Sequence, residues 1–236
     1  MKTSYFSLRA AALLVLSLAI LPLTGFADDE GPPEIQVRAL MLGGGSARHI
    51  HLPGEDGMVA VRVSNVQPSP PVKSLGFQPY PIFEEIPEEW TPEDPPQPAA
   101  SILLPPNTAH VLLLVSHGGE RANYAAIPDD LQNATNRDWR LINTTENAIA
   151  FQIGADTEPV ILRPRSQVSH RLTTGDNRGT AVTAVARIEG TPSTFFSTYW
   201  PIQTNRRGLV VFSQDGEDIL VHRISEALIP EEDQDE

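Results

Sequence analysis

Apolar residues recur at every second position in several stretches of this chain, and this spacing constrains the fold more than any other feature. The clearest sets are Ile35, Val37 and Ala39; Val59, Val61 and Val63; and Ile149, Phe151 and Ile153, while Val168 and Leu172 share a face with His170. A period of two places alternate side chains on one face, as in a half-buried β-strand. Two unbroken apolar runs, 111–115 and 209–212, predict central strands that are buried on both faces. No window of comparable length has convincing helical spacing, so the sequence predicts an all-β fold.

Two parts of the sequence resemble each other. Residues 112–120 align with 209–217 at a constant offset of 97, with identical Leu, Ser, Gly and Glu. A weaker match at an offset of 102 pairs 37–40 with 139–142. We therefore expect two related antiparallel, immunoglobulin-like β-sandwich units, at 34–127 and 136–225. Whether they arose by duplication stays open, because unrelated β-hairpins also look alike.

The best hairpin signal lies in the second unit. Asp215-Gly216 separates two apolar runs. This dipeptide readily adopts the positive φ angles of a tight primed turn. The sequence predicts two strands that meet at this turn.

The first 27 residues have the layout of a signal peptide. Lys2 and Arg9 precede an apolar run over 10–23, and Gly25 and Ala27 are small residues at the positions that a cleavage site requires. The run is too short to span a bilayer comfortably. The expected product is an exported, soluble protein of the periplasm or the cell exterior, without integral membrane anchoring.

The charge of the chain excludes some partners. The formal net charge is −13, and three segments (28–30, 84–94 and 231–236) carry most of the acidic excess. Nucleic acid is not an expected partner, because binding phosphates requires a basic face. The C-terminal segment 226–236 is expected to be an acidic, solvated tail. The chain has no cysteine, which excludes disulfides, thiolate nucleophiles and cysteine-ligated metals.

Prolines are concentrated in one region of the first unit. Twelve of the 22 prolines lie within 68–106. Proline lacks a backbone N–H and disfavours helix in the residue before it. The interval of about 79–98 is therefore predicted to be an extended acidic loop. Its aromatic residues would make it a docking arm for a partner protein, or would pack it against its own unit; they are Phe77, Tyr80, Phe83 and Trp90.

Two histidines form a candidate metal site. His49 and His51 are two residues apart, so on a strand both imidazoles project from one face. Two imidazoles can ligate Zn or Cu. Further ligands would have to come from elsewhere, and the sequence does not show whether His110, His117 or Glu55 lies near. The alternative is a pair of exposed histidines on a polar face.

The dipeptide Tyr199-Trp200 is a candidate carbohydrate platform. On a strand the two rings face opposite sides, so one is expected in the core and one on the surface. The alternative is that Trp200 and Trp139 anchor the core of the second unit.

Catalytic motifs are not evident. The sequence lacks the Gly-X-Ser-X-Gly elbow, a Walker loop and His-Glu-X-X-His. The run His117-Gly-Gly resembles an oxyanion loop, but a turn between strands explains its glycines. The sequence predicts no enzyme and no cofactor.

The second unit contains motifs that resemble a known type of protein. They are Arg140-Leu-Ile-Asn-Thr-Thr, Ala150-Phe-Gln-Ile-Gly and Val160-Ile-Leu-Arg-Pro-Arg-Ser-Gln-Val. The chain resembles uncharacterised exported β-domain proteins of environmental Gram-negative bacteria. The resemblance implies immunoglobulin-like sandwiches and no activity.

The functional expectation follows from these observations together. The chain is predicted to be a non-catalytic exported protein with a structural or partner-binding role, its partner being a protein or a cell-envelope component. The alternative is a ligand-binding module for carbohydrate or a transition metal. A hydrolase of unrecognised type comes third.

Overall fold

The computed structural model describes residues 31–44, 46–86, 96–118, 121–172, 179–188, 190–203 and 205–228. The first half of these residues forms eight strands: β1 (Glu34–Leu42), β2 (Arg48–Gly54), β3 (Gly57–Val63), β4 (Val72–Leu75), β5 (Tyr80–Ile82), β6 (Ala100–Ile102), β7 (His110–Gly118) and β8 (Arg121–Pro128). A 3-10 turn at Leu131–Asn133 follows. The second half forms β9 (Asp138–Asn143), β10 (Ile149–Ile153), β11 (Val160–Leu162), β12 (Ser166–Arg171), β13 (Thr180–Ile188), β14 (Thr191–Trp200), β15 (Arg206–Asp215) and β16 (Asp218–Ala227).

The two halves build the same pair of sheets. In the first half, one sheet has the order β4-β1-β7-β8. The ladders β2-β3 and β5-β6 are joined by a bridge between His51 and Phe83, which gives the order β3-β2-β5-β6. In the second half the orders are β12-β9-β15-β16 and β11-β10-β13-β14. Adding eight to each strand number of the first half gives the second half, so the halves share one topology.

The strand registers also follow the two sequence offsets. Arg38 of β1 lies opposite Leu112 of β7, and Arg140 of β9 lies opposite Leu209 of β15. These pairs are related by the offsets of 102 and 97. The hairpin β7-β8 and the hairpin β15-β16 likewise have one register at an offset of 97. The sequence similarity therefore extends to the pairing of individual residues.

Apolar side chains form three clusters. Each half has its own core between its two sheets. A third cluster, here called the inter-half core, packs the sheet β4-β1-β7-β8 against β12-β9-β15-β16. Its buried members are Leu40, Leu42, Leu112, Leu114, Ile142, Leu209, Val211 and Ile224. The apolar runs in β7 and β15 are buried on both faces for this reason, as the sequence predicted.

The prediction of an all-β sandwich fold is confirmed, and the structure adds detail to it. β1 and β7 pair in parallel, as do β9 and β15, while the other described pairs are antiparallel. Parallel neighbours require a long crossover, which in each half runs through the opposite sheet. The strand order also differs from that of an immunoglobulin constant domain, in which the first strand lies beside the second.

The predicted segments at the termini and in the proline-rich region are only partly described. The predicted signal peptide and most of the predicted acidic tail of 226–236 lie outside the described residues. The start of that tail is not solvated, because Glu226 and Ala227 belong to β16 and Glu226 is buried. Within the predicted loop of 79–98, Tyr80–Ile82 belong to β5 and pair with β6. Tyr80 and Ile82 are fully buried, so apolar burial extends the sheet into the proline-rich region. Residues 87–95, between β5 and β6, are not described.

Candidate functional site

A balanced set of charged side chains lies beside the inter-half core. We call it the inter-half charge network; its members are Arg38, Asp129, Asp130, Arg140, Arg207 and Glu226. Three guanidinium groups face three carboxylates, so the network is neutral. Charged groups are rarely buried unless they are paired in this way.

Glu226 and Asp130 are the acceptors that connect the arginines. Glu226 accepts hydrogen bonds from Arg38 Nη2 at 2.9 Å and from Arg207 Nε at 2.6 Å. Asp130 Oδ1 accepts from Arg140 Nη1 and from Arg207 Nη1, each at 2.7 Å. Arg38 belongs to the first half and Glu226 to the second. The network therefore connects the halves directly.

The arginines keep their carboxylate partners ionised. Burial alone would raise the pKa of Asp129, but hydrogen bonds and charge from Arg38 outweigh burial and hold the pKa below its usual 3.8. Burial also opposes ionisation of Asp130, whose pKa is nevertheless lowered by Arg140 and Arg207. A paired carboxylate with a low pKa is a poor proton acceptor near neutral pH. The network is thus suited to holding the halves together rather than to acid–base chemistry.

A groove of about 760 Å³ lies between the two halves. We call it the inter-half groove. Its floor includes Leu42, Leu114 and Ile142 of the inter-half core. One wall is residues 103–105 together with 123–128 of β8, and the opposite wall includes residues 165–167.

The groove follows the outer edge of β8. This strand is the last in its sheet and pairs with β7 alone among the described strands. The N–H of Asp129 donates to the carbonyl of His110 at 2.8 Å. In an antiparallel ladder, alternate residues point their backbone groups at the same neighbour. The odd-numbered residues of β8 therefore face β7, and the N–H and C=O groups of Tyr124 and Ala126 face the groove.

In the second half, side chains of β16 bind the segment that follows β14. Pro201 follows β14, and its carbonyl accepts a hydrogen bond from Arg223 of β16 at 2.8 Å. Ser225 Oγ of β16 donates to Gln203 at 2.6 Å. In the first half the equivalent segment is held by Gln78, whose side-chain oxygen accepts from Leu104 N at 3.2 Å. The topology shared by the halves therefore does not itself require an open groove.

The groove also differs from the rest of the chain in charge. Arg165 lines it, while none of its described lining residues is Asp or Glu. The whole chain, by contrast, has 30 acidic residues and 17 basic residues. The groove is thus suited to an uncharged or acidic ligand.

The two histidines of the predicted metal site project from one face of their strand, as expected. His49 is exposed and His51 is half-buried on one face of β2, while Ile50 and Leu52 between and beside them are fully buried. Among the residues that the structure describes, no group of three or more His, Asp or Glu side chains has the arrangement of a metal site. Metal binding by His49 and His51 stays a prediction.

The predicted docking aromatics do not form one exposed surface. Tyr80 is fully buried, and its hydroxyl lies 2.7 Å from Ser74 Oγ. Phe83 is also buried, whereas Phe77 is 39% exposed. Trp90 lies outside the described residues. The burial of Tyr80 and Phe83 corresponds to the alternative in which the aromatics pack against their own half.

The predicted carbohydrate aromatics are on opposite sides of β14. Tyr199 is 57% exposed and Trp200 is 7% exposed. The Trp200 ring stacks on Trp139 with a centroid distance of 5.2 Å. A sugar platform on this strand would consist of the single ring of Tyr199.

Ser213 and His222 have the residue types of a catalytic dyad, but the hydrogen bond between them has the opposite direction. Ser213 Oγ lies 2.7 Å from His222 Nε2. His222 Nδ1 accepts from the N–H of Gly43 at 3.3 Å, so the neutral ring carries its proton on Nε2 and donates to Ser213. A general base would instead accept the serine proton. The hydrogen bond from Gly43 to His222 is a further contact between the halves.

We expect His222 to make stability depend on pH. Burial lowers the pKa of its imidazole below 6.5, so the unfolded chain binds a proton more readily than the folded one. This contribution is fully present above about pH 6.5 and is lost as the pH falls through the lower, folded pKa. Urea unfolding at pH 7.5 and 5.5 should therefore show a loss of stability that is smaller in His222→Gln. The exposed His49→Gln is the matched control, and an equal pH effect in all three proteins would contradict the prediction.

Comparisons with known proteins identify no family for this chain. No protein-family model and no curated protein matches the sequence. Among solved structures, the chain is similar to a putative cell adhesion protein from Bacteroides ovatus, with 11% identity over 86% of this chain and 100% of that chain, and a TM-score of 0.24. At that TM-score the similarity carries no functional argument. The described part of the chain contains no helix that is long and apolar enough to cross a membrane.

Neither the charge network nor the groove was predicted from the sequence. A signal for the network was present, because Arg38 and Arg140 are related by the offset of 102, and Asp129 and Glu226 by the offset of 97. Charged residues that recur beside buried strands indicate paired charges. For the groove there was no comparable signal, because it depends on how the two halves pack.

Proposed function

We propose that this chain is a non-catalytic exported binding protein and that a segment of a partner polypeptide occupies the inter-half groove. The observation that carries the proposal is the groove itself. Its volume of about 760 Å³ lies in the usual range of ligand sites, roughly 300–1,000 Å³. Such sites are common where two domains meet. The predicted signal peptide supports a location outside the cytoplasm.

A structural difference between the two halves supports this proposal. They share strand order, yet among the described residues side chains of β16 bind the segment after β14, while no counterpart hydrogen bond joins β8 to residues 103–105. Leu103 lines the groove and is 77% exposed, and exposed apolar surface is unfavourable unless a ligand covers it. A partner segment would cover Leu103 and use the polar groups of both walls.

The proposal can be tested with a phage-displayed library of random linear twelve-residue peptides. We expect enriched peptides to bind the purified protein in calorimetry. Ala125 is exposed and lines the groove, so Ala125→Trp fills space that the peptide needs. This variant should weaken binding at least tenfold. Ala60→Trp is the matched control, because Ala60 is an exposed alanine on the edge strand β3, outside the groove.

Two results would count against the inter-half groove as a peptide-binding site. Enriched peptides whose affinity is the same in wild type and Ala125→Trp would place binding elsewhere and refute the groove as the site. A library that yields no binder, together with binding to a glycan array, would favour the carbohydrate alternative.

A further inference from the structure

We infer that the partner segment adds to β8 as an extra β-strand, with side chains that alternate between apolar and polar. This inference rests on the proposed function, since it specifies how a segment would sit in the groove. Three features carry it: the free backbone groups of β8, the closed end of this edge, and the different chemistry of the two walls.

The backbone of β8 offers an unused hydrogen-bonding edge. The N–H and C=O groups of Tyr124 and Ala126 point away from β7, and no described strand pairs with them. Their side chains pack on the first-half core, so the peptide planes are held in strand geometry. An extended peptide can pair with such an edge, with main-chain hydrogen bonds providing affinity.

One end of this edge is blocked. Pro128 has no N–H, and its carbonyl already accepts a hydrogen bond from Arg140 Nη2. Proline and covered carbonyls are devices that stop strand addition. An added strand must therefore end before Pro128, which places its pairing at Tyr124 and Ala126.

The two walls determine the side-chain pattern. Side chains of successive strand residues point to opposite faces. On the side of the first-half core the added strand meets Leu103, which is 77% exposed, and Leu104. On the other side it meets Arg165 and Gln167 of the second half. Apolar side chains fit the first wall, and acidic or amide side chains fit the second.

The charges near the groove agree with this pattern. The Arg165 side chain is 75% exposed and pairs with Glu146, whose side chain is 66% exposed. An acidic side chain on the partner can compete for this guanidinium, because an exposed ion pair contributes little stability. The groove itself offers no described carboxylate that would repel it.

Strand addition can be tested with backbone-modified peptides. The probe is a synthetic nine-residue peptide that alternates Val with Gln or Glu, compared with a peptide of the same composition in block order. N-methylation of alternate residues removes the N–H groups of one peptide edge. We expect methylation of one alternate set to weaken binding at least tenfold and methylation of the other set to have little effect. On binding, the amides of Tyr124 and Ala126 should gain protection from hydrogen exchange.

A pair of proline variants tests the same edge from the protein side. Ala126→Pro removes an N–H that faces the groove and should weaken binding at least tenfold. Ala122→Pro is the matched control on the same face of β8, outside the groove lining. Hydrogen exchange and calorimetry with the unmodified protein keep the inference testable if Ala126→Pro does not fold.

The outcomes separate this inference from the proposed function. Peptide binding that is sensitive to Ala125→Trp, but insensitive to the N-methylation pattern and to Ala126→Pro, would refute strand addition while leaving the groove as the site. Equal binding of the alternating and block peptides would refute the alternation.

Discussion

Replacing Glu226 with alanine should destabilise the protein by about 3–5 kcal/mol, the usual cost of removing one partner from a buried ion pair. The Glu226 side chain is 1% exposed and accepts from Arg38 and Arg207. Without it, the buried network contains three guanidinium groups and only two carboxylates. The Arg207 side chain is itself 2% exposed, so water cannot easily replace the lost acceptor. Urea unfolding measured by tryptophan fluorescence would give the change.

The matched control for this prediction is Glu146→Ala. Glu146 also pairs with an arginine, Arg165, but its side chain is 66% exposed. An exposed pair contributes less than about 1 kcal/mol. A loss of stability in Glu226→Ala that is no larger than in Glu146→Ala would mean that the network does not hold the halves together.

A double variant gives a second, independent readout. Arg207→Met combined with Glu226→Leu removes one charge of each sign and leaves a balanced network. Buried ion pairs can often be replaced by apolar residues at little cost. We therefore expect the double variant to be more stable than Glu226→Ala. A double variant that is less stable than the single one would show that direct pairing matters more than charge balance.

The second large effect is expected for Trp200→Ala, which should also destabilise the protein by about 3–5 kcal/mol. The Trp200 ring packs against the rings of Trp139, Phe151 and Phe196 at centroid distances of 5.2, 5.8 and 5.5 Å. The guanidinium of Arg223 lies over the same ring at 5.3 Å. Truncation would leave a cavity and also remove this cation–π contact. Thermal or urea unfolding would measure the loss.

The adjacent residue is the control. Tyr199 is 57% exposed, so Tyr199→Ala should change stability by less than about 1 kcal/mol. Equal effects of the two substitutions would contradict the assignment of Trp200 to the core. The same two variants also test carbohydrate binding, because of these two rings only the exposed Tyr199 ring is available for stacking on a sugar.

The elements that the sequence predicted best are those encoded by local patterns. The alternating sets in 35–39 and 149–153 lie in β1 and β10, because a period of two is a direct consequence of strand geometry. The predicted hairpin is found between β15 and β16, with its turn one residue later than the Asp215-Gly216 dipeptide: Asp215 ends β15 and pairs with Asp218, and the turn is Gly216-Glu217, with Gly216 at a φ of +61°. That conformation is favourable for glycine, which has no Cβ.

The proline-rich region shows where local patterns were insufficient. Prolines at 79 and 81 suggested an extended loop, yet Tyr80–Ile82 is the strand β5. Burial of Tyr80 and Ile82 against the first-half core outweighs the poor strand propensity of proline. β5 has only three residues, and its described link to β2 is the single bridge at Phe83, so Pro81 interrupts no described ladder with β2. Which residues are buried depends on the tertiary fold, so this strand was not evident from composition.

The candidate site depended still more on tertiary structure. Arg38 binds a carboxylate that is 91 residues away along the chain and another that is 188 residues away. Each of these residues looks like an ordinary surface charge when read alone. The two sequence offsets relate the network residues of one half to those of the other, but offsets say nothing about which faces of the two halves meet.

The sequence by itself determined the strands that have regular alternation or unbroken apolar runs, the hairpin between β15 and β16, and the internal similarity of the two halves. These features follow from backbone geometry and side-chain alternation over a few residues. Only the tertiary structure decided that two sheets pack face to face, that six charges form one network, and that β8 has an open edge beside a groove. Those features depend on contacts between residues far apart in the sequence, such as Arg38 and Glu226, which are 188 positions apart, and local alternation does not specify such contacts.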